Sequence, residues 1–154
     1  MLLSSDSMVI NSNLSLGLER TLVHANERLS LIGPDTDASR QAEALKKFLK
    51  LETERLKMRH RAGASGVEVS GRRSYLIDLV INHASRFASP GSQGSALESS
   101  AIIAIGGYGR QELSPFSDVD VLFLHAGRRQ KQFKDFVERL LYLMWDCGLT
   151  VGHS

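Results

Sequence analysis

The chain has 154 residues, a formal net charge of +2 and a single cysteine. That length suits one domain that buries a core without disulfides, and one cysteine excludes a disulfide framework and argues for a reducing compartment. So small a net charge gives no electrostatic ground for a nucleic-acid partner, and no apolar run reaches the length of a membrane span. The opening residues MLLSSDSMVINSN lack a basic segment and a long apolar segment, so no signal peptide is read there. These features set the expectation of a soluble cytoplasmic protein with no membrane partner.

Residues 1–13 read as a disordered start. Leu14, Leu18, Leu22, Ala25, Leu29 and Ile32 then recur at helical spacing, and Gly33-Pro34 ends that helix. A second helix is expected from Asp35 or Asp37 to about Ala62, with Ala42, Leu45, Leu49 and Leu56 on its buried side. Glu43 with Lys47, and Lys50 with Glu54, form i,i+4 pairs on its exposed side. Its end is basic, with Lys57, Arg59, His60 and Arg61 before Gly63. Cations there complement the helix dipole; the alternative is a docking patch for an acidic partner or a triphosphate. A third helix spans about Ser70 to Phe87, with Leu76, Ile77, Val80, Ile81, Ala84 and Phe87 as its stripe and His83 as a structural residue beside it. The helical lead-in thus covers residues 14–88, and the Ser/Gly-rich segment 89–100 reads as a linker.

The remainder, residues 101–154, changes period. Ala101 to Ile105 and Val121 to Leu124 are short apolar runs bounded by turn residues, and both read as buried strands. After a turn at Gly127-Arg128, Gln130 to Asp146 carries Phe133, Phe136, Val137, Leu140, Leu141 and Met144 at helical spacing. Trp145 is a core or rim residue of that helix, Cys147 a structural cysteine and Gly148 its C-terminal cap. A third strand is expected from Leu149.

Chemistry concentrates between the two strands. Asp118 and Asp120 lie two apart at the start of the second strand, so they share a face, while Val119, Val121 and Phe123 take the opposite one. Two adjacent carboxylates repel unless a cation relieves them, and Mg²⁺ takes one or two carboxylates with water and phosphate oxygens. Gly106-Gly107, at the end of the first strand, allows close backbone approach to an anion. Together these residues suggest phosphoryl or nucleotidyl transfer from a nucleoside triphosphate. Arg110 is the natural side-chain partner for phosphate, and its alternative is a structural pair with Glu112 or Asp118. Ser117 either helps hold the triphosphate or caps a turn. Tyr108, Glu112 and Pro115 are read as shaping the loop rather than touching substrate.

Gly-Gly, ten residues, then Asp-x-Asp resembles the signature of polymerase-β-type nucleotidyltransferases. The longer string GGYGRQELSPFSDVDVLFL, with LMWDCGLTVGHS at the end, closely resembles the amino-terminal catalytic domain of PII-protein uridylyltransferases. Residues 63–84 resemble that family's helical lead-in more loosely. The resemblance implies an α/β (α+β) fold: a helical lead-in followed by a partial nucleotidyltransferase core with a small mixed sheet. It implies Asp118 and Asp120 as catalytic metal ligands for Mg²⁺, and Gly106, Gly107, Arg110 and Ser117 as nucleotide-binding residues. UTP is then the donor and a tyrosine of the PII signalling protein the acceptor. His153, within Val151 to Ser154, would line the nucleotide site. The family also uses a third carboxylate from a later strand, for which no candidate follows Asp146. The chain is accordingly expected to be a fragment that is inactive alone. The alternatives are a nucleotidyltransferase of the type that adenylylates glutamine synthetase, or a non-catalytic module binding nucleotide or PII.

Overall fold

The computed structural model describes residues 12–33, 35–89, 100–126 and 130–154. Three helices come first: α1 (Ser12–Leu29), α2 (Ala38–Arg61) and α3 (Gly66–Ala88). Helix α1 includes Ser12 and Asn13, which the sequence places in a disordered start; residues 1–11 lie outside the described residues. Leu18, Ala25 and Leu29 are buried as the stripe requires, whereas Leu22 at its edge is exposed. Pro34, expected as a helix stop, also lies outside the described residues.

Local chemistry sets the helix ends. Asp37 stands at the N-cap of α2, although its side chain makes no capping hydrogen bond. At the other end Gly63 adopts φ +104, the Ala64 amide donates to the Arg59 carbonyl, and the Gly63 amide donates to His60. That paired pattern satisfies carbonyls the helix leaves open, and only glycine takes the required conformation without strain. Helix α3 starts earlier than its expected Ser70. Ser65 caps it, accepting from the Glu68 amide at 3.2 Å. The Ser-x-x-Glu spacing of a capping box was present in the sequence, but Gly66 and exposed Val67 obscured it.

Charged pairs follow the same local logic. Glu43 and Lys47 pair at 2.7 Å as expected, but Glu54 pairs with Lys57 at 2.7 Å rather than with Lys50. Arg59 reaches Glu68 at 3.0 Å across the turn to α3. Two of the basic groups at the end of α2 are thus paired with carboxylates. Between α1 and α2, buried Glu52 lies 2.7 Å from His24 Nδ1 and accepts from Arg55 at 2.6 Å.

The rest is β1 (Ser100–Ala104), a single helical turn α4 (Gly106–Gly109), β2 (Val119–His125), α5 (Gln130–Asp146) and β3 (Val151–His153). The sheet order is β1-β2-β3. β1 pairs antiparallel with β2, with Ala104 opposite Val121; β2 pairs parallel with β3, with Asp120 opposite Gly152. This is the small mixed sheet of an α/β (α+β) chain. The third strand begins at Val151, later than expected, because Leu149 is used in closing α5. Its amide donates to Met144, the Gly148 amide donates to Trp145, and Gly148 sits at φ +95. The linker segment 90–99 and the Gly127-Arg128 turn lie outside the described residues.

One continuous apolar cluster joins the helices to the sheet, from Leu18 and Leu45 through Ile77 and Val80 to Val121, Leu140 and Met144. Val119 and Val121 are buried and Phe123 packs against the same cluster, as the strand alternation requires. Trp145 is a rim residue, 44% exposed. Cys147 is buried, its thiol donates to the Met144 carbonyl, and burial pushes it up to about 11, so it is a structural cysteine. Among the described residues, no helix is long and apolar enough to cross a membrane.

Candidate nucleotide site

The strand pair brings its two glycine positions to one carboxylate. The Ile105 amide donates to the Asp120 carbonyl at 3.0 Å, which carries the β1–β2 pairing one residue past Ala104. The chain then turns sharply at Gly106, φ +61, into α4. A side chain at Gly106 would stand 3.0 Å from Asp120 Oδ2. On the other side, a side chain at Gly152 would collide with Asp120 Oδ1. The Asp120 carboxylate therefore lies on the central strand between two residues that have none. Gly106 was read from the sequence. Gly152 was missed as a neighbour of the aspartate, because only the parallel β2–β3 register brings it there.

Asp118 lies one residue before β2 and is exposed. It was expected on the strand, sharing a face with Asp120; the strand begins only at Val119, whose amide donates to the Thr150 carbonyl at 2.8 Å. Among the described residues the carboxylate of neither aspartate has a hydrogen-bond or ion-pair partner. Nor do three His, Cys, Asp or Glu residues come close enough to hold a metal ion among the described residues. The donors the chain supplies here are two carboxylates.

The glycine turn is closed by its own backbone. The Gly109 amide donates to Ile105, Arg110 to Gly106, Gln111 to Tyr108 and Glu112 to Gly107. The amides of Gly106 and Gly107 open the turn and are not used by it. A side chain at Gly109 would stand 2.5 Å from the Ala104 carbonyl oxygen, so the turn folds back tightly on β1. Arg110 is exposed and its Nε donates to Glu112 at 3.1 Å, which is the structural pairing foreseen as its alternative. Ser117 is exposed, and its amide donates to Ser114 at 3.1 Å, closing a turn that holds Phe116 out in solvent. His153 is exposed on β3, opposite Val121, with its ring 6.3 Å from that of Trp145.

Tyr108 shapes the loop, as read from the sequence, by a contact the sequence did not disclose. Its ring is buried and its hydroxyl donates to Asp78 on α3 at 2.5 Å. Burial pushes the Asp78 carboxyl up to about 6, against the Tyr108 hydrogen bond, which acts to lower it. Burial also holds the Tyr108 hydroxyl well above its ordinary value.

No family model matches this chain. Individual relatives do. The chain is similar to bifunctional uridylyltransferase/uridylyl-removing enzymes. It is 40% identical over 111 residues to the enzyme so named from Pseudomonas putida (strain GB-1), covering 72% of this chain and 12% of that protein. It is 46% identical over 79 residues to the one from Azospirillum brasilense, covering 51% of this chain and 8% of that protein. It is 40% identical over 100 residues to the one from Caulobacter vibrioides, covering 60% and 10%. The chain thus spans about an eighth of the Pseudomonas putida relative it matches.

Proposed function

We propose that this chain forms part of a Mg²⁺-dependent site that binds UTP and directs its UMP to a tyrosine of the PII signalling protein. One observation carries the reading. The Asp120 carboxylate is lodged between Gly106 and Gly152, beside a tight glycine turn, in a chain similar to enzymes named uridylyltransferases. Asp118 and Asp120 are the metal-holding pair; Gly106 and Gly107 face the phosphates; Arg110 and Ser117 stand at the rim. The cytoplasm is the compartment proposed, with residues 14–88 as lead-in and 101–154 as the partial core.

The donor set fits the metal. Two carboxylates without a nitrogen or sulfur ligand make a hard-oxygen site, and Mg²⁺ leaves its other positions to water and substrate phosphate. When bound, the ion supplies charge stabilisation at the phosphoryl oxygens. The chain's own part is placement. The paired strands on either side hold Asp120, and the absence of side chains at Gly106 and Gly152 leaves room for its carboxylate. Exposed Asp118 is free to turn toward the same cation. The glycine turn keeps side chains away from the approaching phosphates and leaves backbone amides in reach.

Calorimetric titration of the folded chain with UTP, with and without Mg²⁺, tests this reading. The double variant Asp118→Asn/Asp120→Asn should lose the metal dependence of binding. Gly152→Ala, which displaces the carboxylate without changing a donor, should weaken metal binding about tenfold. Equal metal dependence in the wild type and the double variant would remove both aspartates from the site.

A further inference from the structure

Helix α3 carries a stripe of small and polar residues along one side. Gly71, Ser74 and Asp78 recur at three and four residues, so they lie along one side of the helix. Each meets the segment that follows β1. Asp78 accepts from the Tyr108 hydroxyl at 2.5 Å. The Leu113 amide donates to Ser74 Oγ at 3.3 Å, and that hydroxyl donates in turn to the Ser70 carbonyl at 3.0 Å. A side chain at Gly71 would stand 3.7 Å from the Gln111 carbonyl oxygen, so the loop backbone passes directly over the helix there.

These contacts grip the loop at both ends. Tyr108 is the third residue of Gly106–Gly109, so fixing its ring fixes the orientation of that turn. Leu113, fully buried, marks where the loop returns to the core. Between the two anchors Gln111 takes φ +60, a conformation rare for a residue with a side chain. Such a residue persists where its surroundings over-determine it. The exposed residues Arg110, Gln111 and Glu112 thus sit on a segment that helix α3 anchors at Tyr108 and at Leu113.

We propose that Asp78, with Ser74, is a positioning residue for the glycine turn: through Tyr108 it sets the direction in which the Gly106 and Gly107 amides meet a triphosphate. An apolar contact would hold the loop in place but would not fix its rotation. A hydrogen bond from a buried hydroxyl to one carboxylate oxygen does so, because its strength falls steeply with misalignment. A charged acceptor strengthens the bond. Helix α3 of the lead-in therefore belongs to the site as its support.

The inference rests on the triphosphate reading above, and its test separates the two. Amide proton–nitrogen correlation spectra of the 154-residue chain are recorded for wild type, Tyr108→Phe, Asp78→Ala and Asp78→Asn. Each protein is then titrated with UTP and Mg²⁺. In Tyr108→Phe and Asp78→Ala the Gly106, Gly107 and Gly109 resonances should move while Gly17 and Gly33, in the region of α1, stay in place. UTP affinity should fall about tenfold, the weight of one hydrogen bond to a charged group. Asp78→Asn keeps an acceptor oxygen and should restore both readouts to within about twofold. If Asp78→Ala does not fold, Tyr108→Phe and Ser74→Ala decide the same comparison. Glycine resonances that stay in place while only the melting temperature drops would reduce Asp78 to a packing residue and overturn the proposal. So would loss of affinity in Asp78→Asn equal to that in Asp78→Ala. Failure of the wild type to take up UTP would sink the triphosphate reading alone, and the resonances would still report whether α3 orients the turn.

Discussion

Val119 and Val121 on β2 are sealed against the helices, while Asp120 between them looks out on the sheet's other side with Leu122 and half-exposed Leu124. The inner side is held by volume: Val121, Leu140, Met144 and Ile77 belong to one cluster. The outer side and the glycine turn beside it are held by few, directional contacts. The turn depends on the Tyr108–Asp78 hydrogen bond, the Leu113–Ser74 hydrogen bond and close backbone approaches at Gly109 and Gly71. Packing by volume stabilises without fixing a rotation; directional polar contacts fix a rotation and add little net stability. The division suits a site whose groups must be aimed and must remain open.

The largest expected effect is a contrast between the two sides. Leu140→Ala, at a fully buried position of α5 in the common cluster, should cost about 2–5 kcal/mol by urea unfolding. Leu124→Ala on the outer side, where the residue is 46% exposed, should cost about 1 kcal/mol or less, since less apolar area leaves water there on folding. Equal costs would mean that the outer side is packed as tightly as the inner one, and the comparison would fail.

Much of the inner side was legible in the sequence. Period-two burial on β2, the stripe of α3 and the glycine stop of α5 are local patterns, and each needs only neighbours within about one helical turn or one strand. The spacing of Gly106, Gly107 and Asp118-x-Asp120 was equally plain. What lay beyond reading were the contacts that support the site. Asp78 and Tyr108 are thirty residues apart, and nothing near either announces the other. Gly152 becomes a neighbour of Asp120 only through the register of a parallel pair, which the sequence of neither strand encodes by itself. The start of α3 was misplaced for a different reason: its capping signal was present but interrupted by a residue of poor helix propensity, Gly66.

Asp78 gives the next effect in size, and its sign follows from burial. Its carboxyl rises from 3.8 to about 6 in the folded protein, so the native state holds the proton more tightly than the unfolded chain. Its contribution is therefore stabilising at low pH and is lost as pH rises from about 4 to about 6. The loss is about 3 kcal/mol. Glu68 works the other way: Arg59 first, and then Arg72, hold its carboxyl below the ordinary value, so its contribution is present at neutral pH and lost on acidification. Subtracting Asp78→Asn from wild type isolates the Asp78 part. Chemical denaturation at several pH values should show the variant gaining on wild type across that window and holding the gain above it. A constant difference from pH 4 to pH 7 would mean that Asp78 does not titrate there.

The smallest expected effect concerns Arg110, which stands on the directional side yet is anchored only to a neighbour. Its pair with Glu112 is exposed at both ends, with 66% and 64% of the two side chains open to solvent. Such a pair is worth about 0–1 kcal/mol, because water screens it and two flexible side chains lose freedom to form it. Arg110→Ala and Glu112→Ala should therefore unfold within about 0.5 kcal/mol of wild type. Binding separates the two readings of the arginine. If it meets phosphate, Arg110→Ala should weaken UTP about tenfold, and Arg110→Lys should recover only part, since an ammonium lacks the planar fork. Glu112→Ala should leave affinity equal or slightly higher, because releasing the guanidinium from a surface carboxylate removes a competitor for it. Unchanged affinity in Arg110→Ala would leave the Glu112 pair as the whole of its role, and phosphate recognition would then rest on the backbone of the turn.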